Sequence, residues 1–162
     1  MQAVDVMHRD PVTVTPTDTV DHAARAMLEH RVSGLPVVDR DGNLVGIVTE
    51  GDLVHRVEND TDRARSPLSQ MFVSPARLRA EFVKSTGKQV KDAMASNVVT
   101  VTESTLLADI ADLFDRHHIK RVPVMRDGKV VGVVSRTDLL RALVGSGGDR
   151  KDRRYRRAMS TQ

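Results

Sequence analysis

Two short strings hold the residues whose types and spacing suit binding chemistry: Gly46-Ile-Val-Thr49-Glu-Gly-Asp52 and Gly132-Val-Val-Ser135-Arg-Thr-Asp138. In each, a hydroxyl residue closes an apolar run, and an Asp follows three positions later in the first turn of an expected helix. That spacing sets a hydroxyl and a carboxylate on one rim. The carboxylate accepts hydrogen bonds from a vicinal diol such as a ribose, while the hydroxyl and the helix N-terminal amides favour a phosphate. The same [Ser/Thr]-x-x-[Asp/Glu] spacing is also an ordinary capping box, in which both side chains serve only the start of the helix. Spacing alone leaves the two readings open.

Other chemistries find no pattern to rest on. The chain has no Cys, which removes disulfides, thiolate nucleophiles and thiolate metal sites. His117 and His118 are adjacent, so on a helix they point about 100° apart and do not converge on one ion. His8, His22, His30 and His55 show no i, i+4 pairing and no carboxylate at ligand spacing, so no metal site is expected. No Gly-x-Ser-x-Gly elbow, phosphate-binding P-loop or Gly-x-Gly-x-x-Gly fingerprint occurs. The expectation is a protein that is not an enzyme, with no catalytic residues and no obligatory cofactor.

The rims need strands that end at the hydroxyl and helices that begin at the Asp, and the chain supplies both twice. The stretch from Asp5 returns from Asp92, at an offset of 87 that falls to 86 after Arg40, with 17 identities in 49 aligned positions. Repeats of this kind define the fold before any local detail. Val12-Thr13-Val14 and Val99-Thr100-Val101 are β-branched runs and read as strands. Val20, Ala23, Ala24 and Met27, like Leu107, Ile110, Ala111 and Phe114, have helical spacing. Thr17 or Asp18 is expected to cap the first of these helices and Ser104 the second. Leu35–Val38 and Leu44–Val48 form a hairpin about Asp41-Gly42, and Val122–Met125 and Val130–Val134 form its equivalent about Asp127-Gly128, with positive φ at both turn residues. A last helix starts at Glu50 or Arg136, and Gly145 is expected to end the second one. Each copy is thus β-α-β-β-α and too small to bury both faces of its helices alone.

The boundaries expected are repeat one over 1–57, an insert over 58–89, repeat two over 90–144 and a flexible basic tail over 145–162. Within the insert, Ser74-Pro75 is a helix start that continues through Lys84, with Leu78 and Phe82 one turn apart. It reads as a linker with a surface helix, or as a lid or dimer element. The net charge of +3 belongs to the tail: Ser146–Gln162 holds six basic residues against two acidic ones, and the other 145 residues are near neutral. With four aromatic residues in the chain, there is little to stack bases on, and nucleic acid is not an expected partner of the globular part. Binding of RNA or an acidic partner by the tail is the remaining alternative, and it would weaken steeply with salt. No apolar run is long enough to span a bilayer and none reads as a signal peptide, so no membrane partner and a cytoplasmic location are expected.

The order strand, helix, Pro-bearing hairpin, Gly-x-h-[Ser/Thr]-x-x-Asp resembles the CBS domain, named after cystathionine β-synthase. Two copies in register resemble a CBS pair, or Bateman module, over about 5–57 and 90–144. The resemblance implies an α/β fold (of the α+β type) in which two β-α-β-β-α CBS repeats pack with pseudo-twofold symmetry. It implies a regulatory ligand with an adenosyl group, AMP, ADP, ATP or S-adenosylmethionine, held in clefts between the repeats. Thr49, Asp52, Ser135 and Asp138 would hold the ribose and first phosphate. Backbone around Thr13-Val14, Thr100-Val101, Gly34-Leu35-Pro36 and Arg121-Val122-Pro123 would line the adenine pocket. Lys120 and Arg121 would reach phosphates, with Arg136 adding charge, where copy one has Ser33, Gly34 and Glu50. The two halves are therefore expected to be unequal, the Asp138 half favouring the more highly charged nucleotide. The resemblance further implies a homodimer formed through helices and a regulated partner protein not identifiable from the sequence. CBS pairs also occur within inosine monophosphate dehydrogenase, but that enzyme needs a barrel and a Cys nucleophile that this chain lacks. The rival of another class is a constitutive dimerisation or scaffold module with vestigial clefts.

Overall fold

The structure is a computed structural model, and it describes residues 1–54 and 88–145. The insert helix expected from Ser74-Pro75 and most of the basic tail lie outside the described residues. Chain order is α1 (Ala3–Val6), β1 (His8–Arg9), α2 (Val20–Glu29), β2 (Gly34–Val38), β3 (Leu44–Thr49), a 3-10 turn (Val90–Asp92), β4 (Val101–Thr102), α3 (Leu107–Arg116), β5 (Arg121–Arg126) and β6 (Lys129–Ser135). Residues 50–54 and 136–145 are also helical, the latter still so at Gly145, where the sequence suggested a stop. This is the mixed α/β class expected from the repeat. Among the described residues, no helix is long and apolar enough to cross a membrane.

The described residues form two compact units that do not follow the order of the copies. One, the Asp138 unit, comprises residues 1–10, 99–127 and 131–145; the other, the Asp52 unit, comprises 11–54, 88–98 and 128–130. The leading segment of each copy thus packs with the body of the other copy.

In the Asp138 unit the strands run in the order β1-β6-β5-β4. β1 pairs antiparallel with β6, His8 opposite Val133, and β4 pairs parallel with β5, Val101 opposite Val124. Ala3, Met7, Val101, Ile110, Phe114, Val122, Val124 and Val134 form its core. In the Asp52 unit β2 and β3 form an antiparallel pair with Pro36 opposite Ile47, and Ile47 bridges Ala95 of the 88–98 segment. Its core includes Val14, Val20, Ala23, Met27, Leu35, Val37, Val48 and Val90. In both units the inward helix positions are those that the helical spacing marks, and β2 and β5 are buried over consecutive residues.

The leading segments repeat in detail. The Gln2 backbone N–H donates to Asp5 Oδ2 at 2.7 Å, and the Gln89 N–H donates to Asp92 Oδ2 at 3.2 Å. The duplication therefore extends three residues further toward the N-terminus than the sequence match suggests.

Four local expectations are corrected. Thr19, not Thr17 or Asp18, caps α2, its Oγ1 accepting from the His22 N–H at 3.1 Å. Asp18 is instead engaged by the Thr15 N–H at 2.7 Å. Leu106 stands at the N-cap of α3 with no side-chain cap, and Ser104 lies beside Thr102 Oγ1 at 3.2 Å. The first strand of copy one is reduced to a parallel bridge between Val14 and Val37, and its counterpart β4 starts two residues later than expected and ends one later. The Asp-Gly turns differ as well. Asp127 and Gly128 have φ of 49° and 76°, the two-residue turn expected. In copy one Gly42 alone of the pair has positive φ (79°). There Arg40 lengthens the loop, Asp39 Oδ1 accepts from the Asp41 and Asn43 N–H groups, and the strands rejoin at Val38 and Leu44 past an irregularity.

Candidate functional site

Each hydroxyl–carboxylate rim is built where a strand runs directly into a helix. Thr49 ends β3, and Asp52 lies in the first turn of the 50–54 helix. Asp52 Oδ2 accepts from the Thr49 N–H at 2.8 Å and from Thr49 Oγ1 at 2.7 Å, and Thr49 Oγ1 lies 3.3 Å from the Asp52 N–H. Ser135 ends β6, and Asp138 Oδ2 accepts from the Ser135 N–H at 2.8 Å and Oγ at 2.6 Å. Both aspartates thus close the helix start as a capping residue does. One carboxylate oxygen on each remains beyond that cap.

The surroundings of that second oxygen differ. Asp138 is 3% exposed, and its Oδ1 lies 3.0 Å from His8 Nε2 and 3.0 Å from Arg141 Nη1. Asp52 is half-buried, and nothing among the described residues bonds to its Oδ1. His8 and Arg141 do not figure among the residues expected at the rims. Arg141 follows Asp138 by three positions on one helix, a spacing legible in the sequence. His8 reaches Asp138 across 130 residues and had no local signal.

The other expected residues fall into three groups. Val14, Gly34, Leu35, Pro36, Val101, Val122 and Pro123 are buried, while Thr13 and Thr100 are exposed. The Pro36 carbonyl accepts from the Val14 N–H at 3.1 Å, so the two segments of the Asp52 unit expected at a purine adjoin. Lys120 is exposed and Arg121 half-buried at the start of β5. The Lys120 carbonyl accepts from the Arg136 N–H at 2.9 Å, just as the Ser33 carbonyl accepts from the Glu50 N–H at 3.1 Å. The Arg136 guanidinium donates to the carbonyls of Ile119 and Phe114, each at 3.2 Å, and lies over the Phe114 ring. Its charge therefore sits on the C-terminal end of α3, where carbonyls favour a cation.

Away from the rim, the Asp138 unit carries an apolar groove of about 790 Å³ between α3 and the 136–145 helix. Leu106, Leu107, Ala111, Phe114, Leu139 and Leu143 are among its lining residues. Leu140, Leu143 and Val144 stand exposed on the same helix.

The described residues thus hold a duplicated strand–helix unit with a hydroxyl–carboxylate rim in each copy. The family model described as CBS domain matches residues 3–59 and 90–145. The chain belongs to the CBS domain family. It is 34% identical over 148 residues to the chloroplastic CBS domain-containing protein CBSX1 of Arabidopsis thaliana, covering 85% of this chain and 61% of that relative. The structure of CBSX2 of the same plant in complex with AMP is 30% identical, covers 90% of this chain and 98% of that one, and superposes with a TM-score of 0.67. The CBS domain pair of protein MJ0100 in complex with 5′-methylthioadenosine and S-adenosyl-L-methionine is 25% identical, with the same coverage and a TM-score of 0.68.

Proposed function

We propose that this chain is a non-catalytic regulatory module that takes an adenine nucleotide or another adenosyl compound at its two rims and passes the occupancy to a partner protein. The observation that carries this reading is the pair of strand-end hydroxyls, Thr49 and Ser135, each bonded to an aspartate at a helix start. Two similar proteins bound to AMP and to S-adenosyl compounds support the ligand class. Thr49–Asp52 and Ser135–Asp138 receive the ribose and first phosphate. The backbone at Thr13-Val14, Gly34–Pro36, Thr100-Val101 and Arg121–Pro123 takes the purine. Lys120 and Arg121 supply positive charge for phosphates. Binding would shift the population of helix arrangements toward the one with higher affinity, which is how a ligand without chemistry transmits a signal.

The same proposal makes the chain a homodimer and places it in the cytoplasm. The groove between α3 and the 136–145 helix, with Leu140, Leu143 and Val144 exposed beside it, is an apolar surface suited to a second copy. A second reading, a constitutive dimerisation module, draws on the fact that both aspartates already serve as caps.

The experiment is thermal unfolding of nucleotide-free protein against AMP, ADP, ATP, NADH and S-adenosylmethionine. A ligand present at 100 times its dissociation constant adds about 2.7 kcal/mol by mass action and raises the midpoint by several degrees. A rise with one ligand that is lost in Asp52→Ala or Asp138→Asn supports the sensor; no rise with any of them supports the dimerisation module.

A further inference from the structure

Asp52 and Asp138 occupy equivalent places in the repeat, yet their carboxylates are not equally available. A carboxylate offers about four acceptor sites. On Asp138 all four are taken: two by the Ser135 N–H and hydroxyl, one by His8 and one by Arg141. On Asp52, Thr49 takes two, and Oδ1 has no partner among the described residues. A vicinal diol brings two O–H donors. Asp52 can accept them as it stands, whereas Asp138 must first give up two hydrogen bonds to cationic or imidazole groups.

The difference has a source in the sequence. The position equivalent to His8 in the other leading segment is Ala95, whose side chain has nothing to donate. The two groups on Asp138 are also able to leave. Their side chains are 66% and 67% exposed, and His8 is held in β1 by backbone pairing with Val133, so its imidazole can swing out while the strand stays in place.

We propose that His8 and Arg141 are built-in competitors for the sugar diol at Asp138, so that the Asp52 rim fills first and the Asp138 rim fills only when His8 and Arg141 release the carboxylate. This rests on the adenosyl-binding reading above and adds to it a rank order of the two sites and the residues that set it. The expected charge preference of the Asp138 half concerns the phosphates; the latch concerns the sugar.

The test is calorimetric titration of the full chain with adenosine, which carries the diol without phosphate charge, and with 2′-deoxyadenosine, which lacks the diol. The proteins are wild type, D52A, D52A/H8A and D52A/H8A/R141A. Wild type should bind adenosine, and D52A should weaken that binding at least about tenfold. Removing His8 and Arg141 from D52A should tighten it again at least about tenfold, with no such gain for 2′-deoxyadenosine. D52A/H8A keeps Arg141 as counter-ion to the buried carboxylate, and it gives the same direction of change should the triple variant not fold. The proposal is overturned if D138N abolishes wild-type binding while D52A leaves it intact, or if variants lacking His8 gain nothing. A wild type that binds no adenosyl compound defeats the sensor reading and the filling order with it; if D52A/H8A/R141A then binds adenosine, the competition at Asp138 alone stands, and if it does not, that falls too.

Discussion

Met7 packs on Gly132 so closely that a Cβ on the glycine would stand 2.6 Å from the methionine sulfur and 3.0 Å from the His8 carbonyl oxygen. Met94 and the Ala95 carbonyl stand in the same relation to Gly46, at 2.6 and 3.1 Å. The glycine that opens each rim string is therefore where the leading segment of the opposite copy lies across the strand. Its task is close approach rather than ligand contact, and it fixes β1 against β6 and the 88–98 segment against β3.

Gly132→Ala and Gly46→Ala are each expected to cost about 1–3 kcal/mol through overpacking, because backbone as well as a flexible side chain must give way. For Gly132→Ala, adding Met7→Ala should relieve the sulfur clash but not the one with the His8 carbonyl. Met7→Ala also empties part of the core, so the denaturant midpoint of the double variant is expected to fall by less than the sum of the two single losses rather than to recover. Full additivity of the two losses would show that the glycine and the methionine do not share a contact.

The two aspartates should differ in stability as they do in surroundings. Asp138→Ala removes a buried carboxylate and leaves the Ser135 hydroxyl and N–H, His8 and Arg141 without their acceptor, a loss of about 2–4 kcal/mol. Asp52→Ala removes a half-buried cap with no second pair of partners among the described residues, and about 1 kcal/mol is expected. Urea unfolding of the two variants decides it; equal losses would mean that His8 and Arg141 contribute nothing to holding Asp138.

The β2–β3 loop should carry its own pH dependence. The Asn43 backbone N–H and then its side chain, with Asp41 and Lys129 adding less, hold the Asp39 carboxyl below the ordinary carboxylate range. The folded value is below the unfolded one, so the stabilisation is fully present above the unfolded value and is lost as pH falls through the folded one. Asp39→Asn should therefore be less stable than wild type at neutral pH, with the gap closing as the medium is made acid enough to protonate Asp39. Denaturant midpoints across an acid series measure it, and a gap constant with pH would rule this account out.

Much of this architecture was legible in the sequence, and what was not has a physical cause. The hairpins, both amphipathic helices and the two rims follow from apolar periodicity and from the [Ser/Thr]-x-x-Asp spacing, which are local signals. The caps are not singled out by the sequence because polar residues crowd the starts of α2 and α3: Asp18 serves the turn at Thr15 and leaves the N-cap to Thr19. The copy-one turn deviated because Arg40, the residue without a counterpart, gives the loop room to close on Asp39 instead of on two residues of positive φ. Packing of each leading segment on the opposite copy, and with it the His8–Asp138 contact, is set by tertiary structure between residues far apart in the chain. No pattern within a single repeat encodes it.

The exposed apolar stripe on the 136–145 helix supplies the last prediction. Leu140 and Leu143 are 60% and 71% exposed and Val144 is 75% exposed, whereas Leu139, one turn before Leu143 on the same helix, packs partly buried against the core. The apolar arc thus runs on from Leu139 over Leu143, Leu140 and Val144, and is wider than its own unit uses. If that stripe and the adjoining groove receive a second copy, Leu140→Glu with Leu143→Glu places two charges in an apolar contact and should convert a dimer to a monomer. The fold should survive, because neither residue reaches the core. Light scattering coupled to size exclusion reads the mass, and circular dichroism reads the fold. A dimer that persists in the doubly charged variant would place the dimer contact on another surface of the chain.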